Sequence, residues 1–204
     1  MIAGLRKLSK GKIVINSVES TKMSPARIIE QGLGYIPEDR LHVETIPSFS
    51  IWENLILKDH HLSPFSKRSI LRKRAIKSHS ASLVEKYSIK TPDLETPTGR
   101  LSGGNIQRVI LAREITRNPV VLVAAYPTRG QDIGATEYLH SKFLEARSKG
   151  IGVLLISEVL EELLSICDSI AVLYEGKIMK VMPVEEADER NLGLLMAGID
   201  GEAS

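Results

Sequence analysis

The residues best suited to chemistry form one short string, Leu101-Ser-Gly-Gly-Asn-Ile-Gln-Arg108. A serine and two adjacent glycines open a helical pattern carried by Ile106, Val109 and Ile110. The first N–H groups of such a helix lack partners, and the helix dipole adds positive potential at the same point. That combination suits an anion, a phosphate above all. The Ser102 hydroxyl adds a donor, and Gly103 and Gly104 let an anion come close to the backbone. The same string also makes a plain helix cap, with Ser102 as the capping residue. A second string, Lys67-Arg68, Arg72-Lys73-Arg74 and Lys77, is strongly basic. It suits a solvated helix face, a membrane-proximal or permease-facing surface, or nucleic acid. The interval has no aromatic residue for base stacking, and Ile70, Leu71 and Ile76 predict a helix with a basic outer face. The histidines (His42, His60, His61, His79, His140) show no metal-ligand spacing with acidic or cysteine partners, so no metal site is expected. His60-His61 is expected in an exposed loop. Cys167 has no local partner signature and is expected to behave as a small buried hydrophobe.

The elements that position these residues read as α/β. The chain has 204 residues, 43% hydrophobic and 25% charged, with a formal net charge of +2. That length allows a core burying ~70% of the unfolded surface. One cysteine excludes a disulfide scaffold and a cysteine-based zinc cluster, and fits a reducing compartment. The longest apolar runs, 120–126 and 151–156, are far short of the ~20 residues that span a bilayer. Three apolar runs, 120–125, 153–156 and 170–173, predict strands buried on both faces, as in a parallel sheet. Asp132 is placed to cap a helix on which Ala135, Leu139, Phe143 and Ala146 share a face. A helix over 158–166 leads to the strand at 170–173, and Glu175-Gly176 turns into a last strand over 177–181. Upstream, 12–15 and 34–36 read as strands, and Ser24-Pro25 opens a short helix. From Ser50 to Lys90 the pattern is helical, with a capping box at Ser50 and Glu53 and one face formed by Ile76, Leu83 and Tyr87. The fold class is α/β: a mainly parallel three-layer sheet with an inserted helical subdomain. Its parts are a core segment 1–48, the subdomain 49–107 ending in the Leu-Ser-Gly-Gly string, and a second core segment 108–204.

Leu-Ser-Gly-Gly-x-x-Gln-Arg, one helix, then a buried strand ending Ala124-Ala-Tyr-Pro-Thr-Arg-Gly-Gln-Asp132, resembles the ATP-binding cassette (ABC) ATPases over nearly the whole chain. Gly34-Tyr-Ile-Pro-Glu-Asp-Arg40, Ile51-Trp-Glu-Asn-Leu55, Pro127-Thr-Arg-Gly130 and Tyr174-Glu-Gly-Lys-Ile178 look like the second cassette of sugar and nucleoside importers. The stretch 124–130 and Leu194-Leu-Met-Ala-Gly198 resemble the nucleoside branch. The family's phosphate loop, G-x-x-x-x-G-K-[ST], does not occur in the sequence. The resemblance aligns Ala3-Gly4-Leu5 with the end of the helix after that loop, which implies a chain truncated upstream, with an exposed apolar face and low stability in isolation. Against the family's Asp-Glu-Pro-Thr, Ala125 replaces the metal-holding aspartate and Tyr126 the glutamate that polarises water. Glu158 stands where many members carry a phosphate-sensing histidine, and Glu38 where a glutamine is usual.

Cassettes of this family act as head-to-tail pairs. The resemblance therefore implies a degenerate half whose Leu101, Ser102, Gly103, Gly104, Gln107 and Asp132 act on ATP and magnesium held mainly by a partner cassette. Membrane permease subunits would be further partners, at the cytoplasmic face of the cell membrane, without contact to the transported solute or to nucleic acid. The chain alone is expected not to hydrolyse ATP. A regulatory pseudo-ATPase, a gene relic and a nucleic-acid-associated ABC protein are the alternatives.

Overall fold

The computed structural model describes residues 1–39 and 43–199, so Arg40 and His42 of the sequence motifs lie outside it. The described residues fall into two compact units, Met1–Leu154 and those from Leu155 onward.

In the first unit, strands β1 (Val14–Ile15) and β2 (Val18–Glu19) pair antiparallel. Helix α1 (Pro25–Glu30) starts with proline behind the extended Ser24, as proline's fixed φ favours. Strand β3 (Leu33–Ile36) runs parallel to β6 (Val121–Ala125), with Leu33 opposite Val121 and Ile36 opposite Ala124. Strand β7 (Gly152–Ile156) completes a three-stranded sheet of order β3-β6-β7. The apolar run at Leu122, Val123 and Ala124 is buried, as a central strand requires.

Between β3 and β6 lies the helical region. Helix α2 (Ile51–Leu55) carries the expected capping box: Ser50 Oγ accepts from Glu53 N, and the Glu53 carboxylate accepts from Ser50 N. Helix α3 (Lys73–Lys86) buries Ile76 and Leu83, and Tyr87 at its end is buried with them. Helix α4 (Gly103–Thr116) is apolar on nearly every side, with every residue from Val109 to Ile115 buried. Such a helix belongs inside a core. After β6, helix α5 (Ile133–Ser148) buries Leu139, Phe143 and Ala146, the stripe legible in the sequence.

The second unit holds α6 (Leu160–Ile166), the antiparallel pair β8 (Ser169–Tyr174) and β9 (Lys177–Pro183), and α7 (Glu189–Met196). Its core is Ile170, Val172, Met182, Leu192 and Leu195. The turn between the strands places Glu175 and Gly176 at φ 44 and 78, the left-handed pair a tight hairpin needs.

Three sequence expectations change. Residues 66–71 are not helical: β4 (Ser66–Lys67) and β5 (Ile70–Leu71) form a hairpin turning through Arg68 and Ser69. Its backbone lies at φ 51 and 64 there, without the glycine or asparagine that announces such a turn. Strands β7 and β8 are not buried on both faces. Leu154 and Ile156 remain 42% and 39% exposed, and Leu173 66%, because each strand is left uncovered on one face. Cys167 is half-buried at the end of α6 rather than fully enclosed.

Candidate functional site

The start of α4 has the geometry of a donor site. Ser102 is the extended N-cap, at φ −65 and ψ 155, but its side chain makes no capping bond. Instead Asn105 Nδ2 donates to Ser102 Oγ over 2.9 Å, while Asn105 Oδ1 accepts from Lys90 N at 2.8 Å. The Ser102 oxygen is thus used as an acceptor, and its O–H proton remains available to an outside acceptor. Ser102 and Gly103 are exposed, and the first N–H groups of α4 face no preceding turn.

A second helix start lies beside it. A Cβ on Gly104 would come within 3.3 Å of Gln131 Oε1 and 3.9 Å of Ala135 Cβ, so the glycine sets how closely α4 approaches the start of α5. There Asp132 Oδ1 accepts from Ala135 N at 2.8 Å, the predicted cap. The pair of helices is locked further along. Arg108 stacks 3.9 Å from the Tyr138 ring centre and donates to the Tyr87 and Ser88 carbonyls, capping the end of α3. Tyr138 Oη also donates to the Tyr87 carbonyl at 2.9 Å. Burial pushes the Tyr138 phenol up to about 12 against the pull of Arg108, so it remains a neutral donor at physiological pH.

The positions expected to be degenerate have the following surroundings. Ala125 ends β6 with a methyl group, and Tyr126 follows at φ 48, an unusual backbone for a bulky residue. Neither supplies a carboxylate. Glu38 forms an ion pair with Arg129, which ties the loop after β3 to the loop after β6. A methyl, a phenol and a carboxylate already taken by a guanidinium do not fit a divalent cation, which needs several oxygen ligands. Among the described residues no cluster of three His, Cys, Asp or Glu could hold a metal. Glu158, in the second unit, is exposed just before α6; beside it Ser157 Oγ donates to Glu162 Oε2 at 2.6 Å and accepts from Val159 N at 3.0 Å.

Residues 1–129 match the family model described as ABC transporter. The chain belongs to the ABC transporter family. It is 43% identical over 197 residues to the guanosine import ATP-binding protein NupO of Bacillus subtilis, covering 97% of this chain and 39% of that protein. It is 38% identical to the nucleoside import ATP-binding protein NupA of Lactococcus lactis subsp. cremoris, with the same coverage. The chain thus spans about two fifths of the length of these curated relatives. Among solved structures, MJ1267, an ATP-binding cassette of an ABC transporter, matches with TM-score 0.75 and 22% identity over 97% of this chain and 79% of that one. The fold is the α/β ABC ATPase fold, with parallel strands and a helical subdomain.

This ABC cassette also contains a buried charge cluster that motif reading did not reveal. Arg113 pairs with Glu44, donates from Nε to Glu114 Oε1 at 2.8 Å, and reaches the Glu44 carbonyl at 2.9 Å. Lys58 Nζ lies 2.8 Å from Glu114 and 3.2 Å from Glu44. Glu114 Oε2 accepts from Tyr35 N of β3, so the cluster joins β3, α4 and the helical region. Burial opposes ionisation of Glu114, but Arg113 and Lys58 outweigh it and hold this carboxyl below its ordinary range. Burial pushes Glu44 the other way, upward, against the same two cations. The available signal was an Arg-Glu pair inside an otherwise apolar helix, where ionised groups persist only when paired.

Gln107 is only 1% exposed, apart from the exposed Ser102 and Gly103, and both its amide atoms lack hydrogen-bond partners. Each orphaned group costs on the order of 1–3 kcal/mol. Gln107→Met keeps the volume and removes both orphans, so it is expected to stabilise the chain by about 1–2 kcal/mol. Urea denaturation reads the change, and a loss of stability would show that Gln107 is satisfied in solution.

Proposed function

We propose that this ABC cassette is the degenerate half of a paired ATPase, lending its Leu-Ser-Gly-Gly start to ATP held mainly on a partner cassette. The observation that carries this is asymmetry. The α4 start keeps its donors intact and outward, while Ala125, Tyr126, Glu38 and Glu158 have lost the chemistry for a nucleotide of the chain's own. Ser102 Oγ–H and the first N–H groups of α4 would hold phosphate oxygens. Gly104 keeps the backbone close and Asp132 holds the adjacent helix start, while Leu101 opens the string and Gln107, buried behind it without hydrogen bonds, touches no phosphate. Magnesium, when bound with ATP, supplies charge neutralisation on the phosphates; the residues here supply orientation and directed hydrogen bonds.

The phosphate loop and its strand would then come from sequence outside the chain. The place of β7 at the end of the strand order β3-β6-β7 among the described residues supports this, since an edge strand offers backbone groups to a further strand. The relatives' names, guanosine, nucleoside and ribose import ATP-binding proteins, favour nucleoside or sugar import as the process served. In that reading permease subunits would be the membrane partners, at the cytoplasmic face of the membrane. Residues 1–48 and 108–204 would be core and 49–107 the subdomain turned to the permease. Among the described residues no helix is long and apolar enough to cross a membrane.

The test is direct. Purified alone, the chain is expected to release no phosphate from ATP above background. Steady turnover that is lost when Ser102 or Asp132 is altered would overturn the proposal.

A further inference from the structure

The basic string left unexplained by the ATPase reading forms a surface of its own. Between Asp59 and Glu85 the sequence has no acidic residue, yet it carries Lys67, Arg68, Arg72, Lys73, Arg74 and Lys77, all exposed. Lys77 pairs with Glu95; Lys67, Arg68, Arg72 and Arg74 have no acidic partner among the described residues. Aliphatic side chains project beside these charges: Ile70 is 72% exposed, Leu71 42% and Leu62 46%. The hairpin that presents them is anchored rather than loose. Phe65 is buried with Trp52, Ile56 and Ile76, and Arg72 N donates to the Phe65 carbonyl at 2.8 Å, closing the hairpin's base.

Both the hairpin turn and the start of α3 carry a local cost, and an anionic surface would relieve the second. Arg68 and Ser69 occupy left-handed turn positions that favour glycine or asparagine. Arg72, Lys73 and Arg74 crowd the positive end of α3, whose first turn holds no acid.

We propose that the β4–β5 hairpin and the start of α3 form a docking surface for an anionic lipid bilayer. The basic side chains meet phosphate headgroups, and Ile70, Leu71 and Leu62 enter the boundary between headgroups and acyl chains. Exposed aliphatics among cations fit that boundary. A nucleic acid would be met by stacking aromatics, and the nearby ones, Phe65 and Trp52, are buried. The proposal stands apart from the ATPase reading, and its failure leaves that reading intact.

Co-sedimentation of the full chain with phosphatidylcholine vesicles, with and without phosphatidylglycerol, tests it. Binding is expected only to the anionic vesicles and falls as salt rises. Each of Lys67→Gln, Arg68→Gln and Arg72→Gln removes roughly a fivefold factor, so the triple variant loses on the order of a hundredfold in partitioning. Ile70→Ser weakens binding at high salt as well, because it acts through apolar contact. The control triple Lys7→Gln, Lys10→Gln, Lys12→Gln, on the exposed N-terminal segment, is expected to leave partitioning unchanged. Equal loss in both triples, equal binding to neutral vesicles, or binding to RNA or a permease with none to vesicles overturns the proposal.

Discussion

Replacing Ser102 by alanine and Gly103 by aspartate in the proposed paired ATPase is expected to cut ATP turnover on the order of a hundredfold or more. The first change deletes the hydroxyl that Asn105 leaves free to donate. The second puts a carboxylate where phosphate charge would lie, turning an attractive helix start into a repulsive one. Both positions are exposed, and an acid in a first helical turn favours the helix, so the fold should persist. Phosphate release by the assembled protein is the measurement, with melting of the isolated chain as control. Unchanged turnover would remove this helix start from the reaction.

Arg113→Met is expected to destabilise the chain by about 3–5 kcal/mol, because it leaves two buried carboxylates facing Lys58 alone. Domains of this size have only about 5–15 kcal/mol in total, so much of the protein would unfold. The cluster also predicts how acid acts. The folded pKa of Glu114 lies below its unfolded value of about 4.3. Its contribution is therefore complete above that unfolded value and is lost as pH falls through the lower folded one. Glu44, shifted upward by burial and also by the neighbouring Glu114 charge, contributes in the opposite sense, so the acid response belongs to the coupled pair and Glu114→Gln removes one member of it. Urea denaturation across acidic and neutral pH should show a smaller loss on acidification for Glu114→Gln than for the natural chain. An Arg113→Met chain within about 1 kcal/mol of the natural one would mean that water already reaches the cluster.

Much of the fold was legible because its signals are local. The Ser50–Glu53 capping box, the Asp132 cap and the Leu139, Phe143 and Ala146 stripe depend on neighbours three or four positions apart, and each forms as expected. The α4 start was legible for the same reason: serine and glycines before an apolar helix specify unpaired donors whatever surrounds them. The hairpin at 66–71 was hidden, since Lys-Arg-Ser-Ile carries no turn residue and the string passes for a basic helix. The exposure of β7 was hidden too: an apolar run shows that a strand wants cover, not whether cover is there.

The sequence alone determined the family, the anion-suited helix start and that Ala125 and Tyr126 offer no carboxylate, because each follows from residue type at fixed spacing. Only the tertiary structure decided which helix start lies beside α4, which cations neutralise Glu114, and that Glu38 is bound to Arg129. Those partners stand far apart in the chain. Glu44 and Arg113 are 69 residues apart and Glu38 and Arg129 are 91 apart. No periodicity records such pairings, because packing of the core, not local geometry, brings the charges together.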